Sequence, residues 1–119
     1  MIIIPISDDL KKAFCEGHRF DICEPISLDD IPELEALFPN PGVYIFHGSN
    51  SEILQVHKDQ NSIGNDFKQH IAPGSNWKDS LGIERRPVKV SAIILDSYSA
   101  KFAGEIKDIL KKWLNPIFK

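Results

Sequence analysis

The 119-residue sequence predicts one α+β domain, a small sheet flanked by helices over residues 41–119, with a short N-terminal extension over residues 1–40 packed on it. Three observations carry that prediction. Apolar runs at 43–47 and 52–58 are separated by Gly48-Ser-Asn-Ser51, the composition of a hairpin turn, so they read as a pair of antiparallel strands. After them Ile63, Phe67 and Ile71 recur at four-residue spacing, a single apolar stripe that a helix would lay on the sheet. A third, β-branched run at 88–95 suits a central strand buried on both faces. The length allows one core without disulfides or a structural metal. With 42% hydrophobic and 26% charged residues, the composition is that of a globular chain and not of a disordered one.

Element by element, Met1-Ile-Ile-Ile-Pro-Ile6 reads as an opening strand. It is too short to cross a bilayer and lacks the basic flank and long apolar region of a signal peptide, so the expectation is a cytoplasmic protein without a membrane segment. Ser7 or Asp8 caps a short helix through Ala13 and Phe14, which Gly17 ends. Cys15 and Cys23 are eight residues apart with no paired-histidine motif; they do not match a zinc site and read as two reduced thiols. Ser27 with Asp30 reads as a capping box, followed by Ile31, Leu34 and Leu37 or Phe38 on one helical face and stopped by Pro39 and Pro41. Ser62 caps the helix of the Ile63 stripe, and Pro73-Gly74 ends it. Residues 75–86 form a long surface loop with Trp77 as its anchor. The last helix, 100–114, carries Phe102, Ile106, Ile109, Leu110 and Trp113 as core residues and stops at Asn115-Pro116.

Charge is uneven along the chain. Residues 1–40 hold three basic residues against nine acidic, and the remainder holds eleven basic against eight acidic. A mildly basic core under an acidic leader gives weak support for nucleic-acid binding, which depends on cations that displace phosphate counterions. Asp29, Asp30, Glu33 and Glu35 decorate the exposed side of the short helix.

Pro41-Gly-Val-Tyr-Ile-Phe46, Ile53-Leu-Gln-Val-His-Lys58 and Ser62-Ile-Gly-Asn-Asp-Phe-Lys-Gln-His70 follow one another in an order and spacing that resembles the GIY-YIG nuclease domain. The resemblance covers about two thirds of the chain and implies a three-stranded antiparallel sheet, with a helix between its second and third strands. It also implies an endonuclease chemistry in which a tyrosine acts as general base, a helix arginine neutralises the phosphorane, and a glutamate of the last helix holds Mg2+ or Mn2+. Carried over by position, Tyr44 matches the first tyrosine, Lys58 the lysine and His70 the helix histidine, with His57 beside them as a further candidate for catalysis. Gln55 stands in the slot of the second tyrosine, His57 in that of a glycine, and Asp66 in that of the arginine, so Gln55 and Asp66 fall at substrate-contacting positions. Asp66 reverses the charge expected to face a phosphate. The metal glutamate falls on Lys107; Glu105, the nearest candidate ligand, is two residues away, or about 200° around a helix.

The same residues have plainer readings. Tyr44 serves equally as a strand aromatic whose hydroxyl reaches the sheet rim. Asp66 and His70, spaced i, i+4, suit a surface ion pair. Together with His57 they also make a rebuilt metal or acid–base set, because imidazole and carboxylate both ligate transition metals. Three functions follow: a nuclease-derived domain with weakened or lost cleavage that binds DNA or a protein partner, a divergent metal-dependent DNA endonuclease, and a small acidic inhibitor or immunity-type protein. No small-molecule cofactor is indicated.

Overall fold

The computed structural model describes residues 20–50, 52–72 and 74–118. The expected opening strand, the helix ended by Gly17, and Cys15 lie outside these residues. Strand β1 spans Phe20–Ser27, helix α1 Ile31–Leu37, β2 Gly42–His47, β3 Ile53–Asp59, α2 Ile63–Ile71, β4 Lys89–Leu95 and α3 Ala103–Leu114, with a 3-10 turn at Ser99–Phe102 before α3. The sheet is antiparallel throughout, in the order β1-β4-β2-β3.

The sheet has four strands, where the sequence reading expected three. The added strand, β1, comes from residues assigned to the N-terminal extension and pairs with β4. Its pattern was hidden by Pro25. The register shifts between Cys23 and Ile26, so Glu24 and Pro25 fall in a bulge, and an edge-strand bulge is one of the few places where a sheet accepts a residue without an N–H.

Alternation along β2 divides the core in two. Tyr44 and Phe46 point to one face, where they pack with Leu34 and Leu37 of α1, Ile63 and Phe67 of α2, Trp77, Val90 and Ala92. Val43 points to the other, with Val56, Leu95, Phe102, Ala103 and Ile106 of the α3 side. The molecule is therefore layered, with α1 and α2 on one face and α3 on the other. A second bulge keeps the layers in step. Phe46 pairs with Gln55 but His47 pairs with Ile53, which makes Leu54 the extra residue and turns its side chain to the Phe46 side.

The helix ends differ in detail from expectation. Asp30, not Ser27, caps α1 by accepting from the Glu33 N–H at 3.4 Å; the Ser27 hydroxyl instead accepts from the Asp29 N–H. Ile31 is 55% exposed, so Leu34 and Leu37 form the buried face of α1. Ser62 occupies the N-cap of α2 without a capping bond, because its hydroxyl donates to the Phe38 carbonyl at 2.5 Å. Gly64 lets α2 approach that turn: a Cβ there would lie 2.6 Å from Phe38 Cβ.

Trp77 anchors the 75–86 loop as expected. It is buried, and its indole N–H donates to the His70 carbonyl at 2.9 Å. Trp113 is 62% exposed and is not a core residue. Strand β4 has both neighbours of a central strand, although Val88 lies outside it and is exposed. Asn115 takes the left-handed conformation that ends α3. Beyond it, the N–H groups of Ile117 and Phe118 donate to the carbonyls of Ile53 and Leu54. Among the described residues no helix is long and apolar enough to cross a membrane.

Two glycines predict opposite mutational signs. A Cβ on Gly42 would sit 2.3 Å from the Ile93 carbonyl oxygen, a backbone atom of the adjacent strand. Gly42→Ala should therefore cost about 2 kcal/mol or more in urea unfolding, the scale of a core overpacking error. At Gly104, in the first turn of α3, the nearest atoms are those of the Lys58 side chain at 3.8–3.9 Å. Gly104→Ala should stabilise by up to about 1 kcal/mol through helix propensity.

Candidate functional site

The hairpin register sets Tyr44 directly opposite His57, and Phe46 opposite Gln55. Directly opposed residues share a face, so all four project toward α2. That helix brings Asp66 and His70 to the same place, one turn apart, while Phe67 between them enters the core. The rings of His57 and His70 stack with centroids 3.8 Å apart and planes at 25°. His70 Nε2 stands 3.5 Å from Asp66 Oδ2. Tyr44 donates its hydroxyl to the same Asp66 oxygen at 2.5 Å. The cluster is floored by aromatic rings, with Phe46 5.4 Å from Tyr44, 5.7 Å from His57 and 6.3 Å from His70.

Tyr44 is wholly buried. Burial, the hydrogen bond to Asp66, and the negative charges of Asp66 and Asp59 together push its pKa far above the ordinary phenol value. Each of these opposes the phenolate, and the hydroxyl stands as a donor to Asp66. His57 is pushed down to about 4, first by burial and then by His70, with Lys107 and Lys111 adding to the effect and Asp66 opposing it. It is thus neutral at physiological pH. Its Nε2 lies 2.7 Å from Gln55 Oε1; an amide oxygen only accepts, so Nε2 carries the proton and the lone pair is on Nδ1.

Of the residues singled out from the sequence, Tyr44, Gln55, His57, Asp66 and His70 come together. Lys58 and Glu105 do not join them. Lys58 pairs with Val43 and shares its face, and its side chain runs beside Gly104 of α3, across the sheet from Tyr44. Glu105 lies on α3, and the ligand-competent group His57, Asp66 and His70 does not include it. The sequence reading missed two contacts, Tyr44 to Asp66 and Gln55 to His57. The second left a trace, since Gln55 and His57 are i, i+2 on one strand and must share a face.

The donor set also bears on metal choice. Mg2+ and Mn2+ favour carboxylate, carbonyl and water oxygens, whereas two imidazoles with one carboxylate suit nitrogen-preferring ions. The residues around Tyr44 do not fit the Mg2+ or Mn2+ site that the family resemblance implies. Comparisons of the chain with protein-family models, curated proteins and solved structures return no match.

Two outcomes follow. Because the folded-state pKa of His57 lies below its ordinary 6.5, the folded state resists protonation there. The stability this group contributes is complete above about pH 6.5 and is lost as pH falls toward 4. The melting temperature should drop across that window, and an NMR titration should give one histidine a midpoint near 4; a midpoint near 6.5 for His57 would contradict its burial. Tyr44→Phe should cost about 1 kcal/mol, a modest loss for a bond to a charged group, because the Asp66 side chain is 27% exposed and water can replace the phenol.

Proposed function

We propose that this chain is a GIY-YIG-like domain of nuclease ancestry that has lost or weakened cleavage and works by binding, with DNA as its first candidate partner. The observation that carries the reading is the buried Tyr44 hydroxyl, committed to Asp66. A general base must offer a lone pair to water, and burial together with two nearby carboxylates keeps this phenol protonated. The lineage is supported by the order of elements: a Gly-Val-Tyr strand, its hairpin partner, a helix ending in His70, a further strand beside the first, and a closing helix. Asp66 also faces Tyr44 from the helix, as the arginine it replaces would be expected to do.

Charge favours binding over cleavage. Residues 41–119 carry eleven basic against eight acidic residues, and Lys107 and Lys111 of α3 are close enough to His57 to depress its pKa. Such cations on α3, the opposite layer from the cluster, would add to the attraction of a phosphate backbone. Within the cluster, Asp66 would repel the scissile phosphate, and among the described residues no side chain there supplies the arginine's charge stabilisation, a contribution commonly of several kcal/mol.

The test combines cleavage with binding. With Mg2+ or Mn2+ the protein should nick plasmid DNA no faster than its Tyr44→Phe variant. Nicking that disappears in the variant would instead establish a divergent endonuclease. In salt-titrated fluorescence anisotropy with one duplex, Asp66→Arg should bind more tightly than the parent, with a slope steeper by about one phosphate contact. Equal affinity and equal slope would mean that position 66 does not face nucleic acid.

A further inference from the structure

We propose that His57, Asp66 and His70 form a site for a nitrogen-preferring transition-metal dication, with Zn2+ as the ion the donor set fits best. Their ligand atoms already lie within 4.8 Å of one another, and all three side chains are half-buried. Two imidazoles and a carboxylate make up the three-protein-ligand set of catalytic-type zinc sites, with further positions left to water or a ligand. Asp66 and His70 are one helical turn apart, the spacing at which a helix presents two ligands to one ion. His57 meets them from the sheet.

The surrounding groups are those a metal site needs behind its ligands. Gln55 accepts the Nε2 proton of His57, which fixes the tautomer and reserves Nδ1 for coordination. Tyr44 donates to Asp66 Oδ2, orienting the carboxylate and leaving Oδ1 for an ion. Partners of this kind set ligand orientation in metalloproteins. Buried Phe46 and Phe67 line the inner side of the cluster.

One rearrangement is required. Ligands at zinc bond lengths of 2.0–2.1 Å stand roughly 3.3 Å apart in a tetrahedron, closer than the present limit of 4.8 Å. Near-parallel rings 3.8 Å apart cannot both direct in-plane lone pairs at one ion. The ring that turns is that of His70, whose side chain is 32% exposed, whereas His57 is held by Gln55. Metal binding therefore breaks the stack. Tyr44 and Gln55 act as positioning residues.

This inference rests on the three side chains and not on a nuclease lineage. The probe is Zn2+ alone, titrated calorimetrically into the untagged full chain, with Co2+ as a spectroscopic substitute. The expected result is saturable binding of one equivalent. Visible Co2+ d–d bands should appear without the near-ultraviolet thiolate charge-transfer band that cysteine ligation gives. Zn2+ should move the His57 and His70 ring resonances together as the stack opens. His70→Ala and Asp66→Asn should each weaken binding by at least roughly a hundredfold, and Gln55→Ala by roughly tenfold, with far-UV circular dichroism confirming that each variant is folded. Two results would overturn the site: no saturable binding by the parent, or affinity unchanged in both His70→Ala and Asp66→Asn. Zn2+-dependent plasmid nicking that vanishes in His70→Ala would support the site while overturning the loss of cleavage proposed above. Absent binding, with DNA affinity intact, would sink the site and leave that reading standing.

Discussion

Strand β2 is the constraint on which the other parts depend. It lies between β3 and β4 and is buried on both faces, so its side chains serve two cores at once. Because orientation alternates at every residue, a slip of one position would send Tyr44 to the α3 side and Val43 to the α2 side, exchanging a large polar-tipped ring with a small aliphatic one. Register is held at one end by the close approach of Gly42 to Ile93 and by the Leu95 N–H donated to the Pro41 carbonyl. At the other end, the bulge at Leu54 absorbs the mismatch with β3. The juxtaposition of Tyr44 with His57 depends on both.

The chemistry of the cluster follows from how one carboxylate is shared. Asp66 accepts from Tyr44 and stands beside His70, so its charge keeps the phenol protonated and offers a counter-charge to a cation. Lys107 and Lys111 act in the other sense on His57. The outcome is a set of Lewis bases rather than a nucleophile with its base. A neutral imidazole, a second imidazole that can turn, and an oriented carboxylate are better suited to holding a cation than to attacking a phosphodiester.

What was legible in the sequence was what periodicity encodes locally. The hairpin, the stripe of α2 and the pairing of Asp66 with His70 follow from side-chain spacing within single elements or across one tight turn, whereas in the sequence His57 joins them on ligand chemistry alone. Strand β1 was not legible, because Pro25 and its bulge interrupt the alternation on which strand reading relies. Trp113 keeps the spacing of the α3 stripe yet lies in the last turn, past Ile106, Ile109 and Leu110, which meet the sheet. Lys58 adjoins His57 in sequence and faces away from it in the sheet, so a motif read as a string joined two residues that a strand must separate. The Tyr44 to Asp66 bond spans 22 residues and depends on how far α2 stands off the sheet, a distance no local pattern records.

The treatment of the sheet edges limits how a macromolecule can dock. Many peptide ligands bind by adding a strand, borrowing the unpaired N–H and C=O groups of an edge. Here β1 is broken by a bulge carrying a proline that has no N–H to offer, and the carbonyls of Ile53 and Leu54 on β3 are taken by the chain's own residues 117 and 118. Strand addition at the start of β3 or across the β1 bulge would therefore have to displace or bypass these groups. A partner docking instead on side chains of the helical layers would be held by contacts sensitive to charge and salt rather than by the length of a paired backbone.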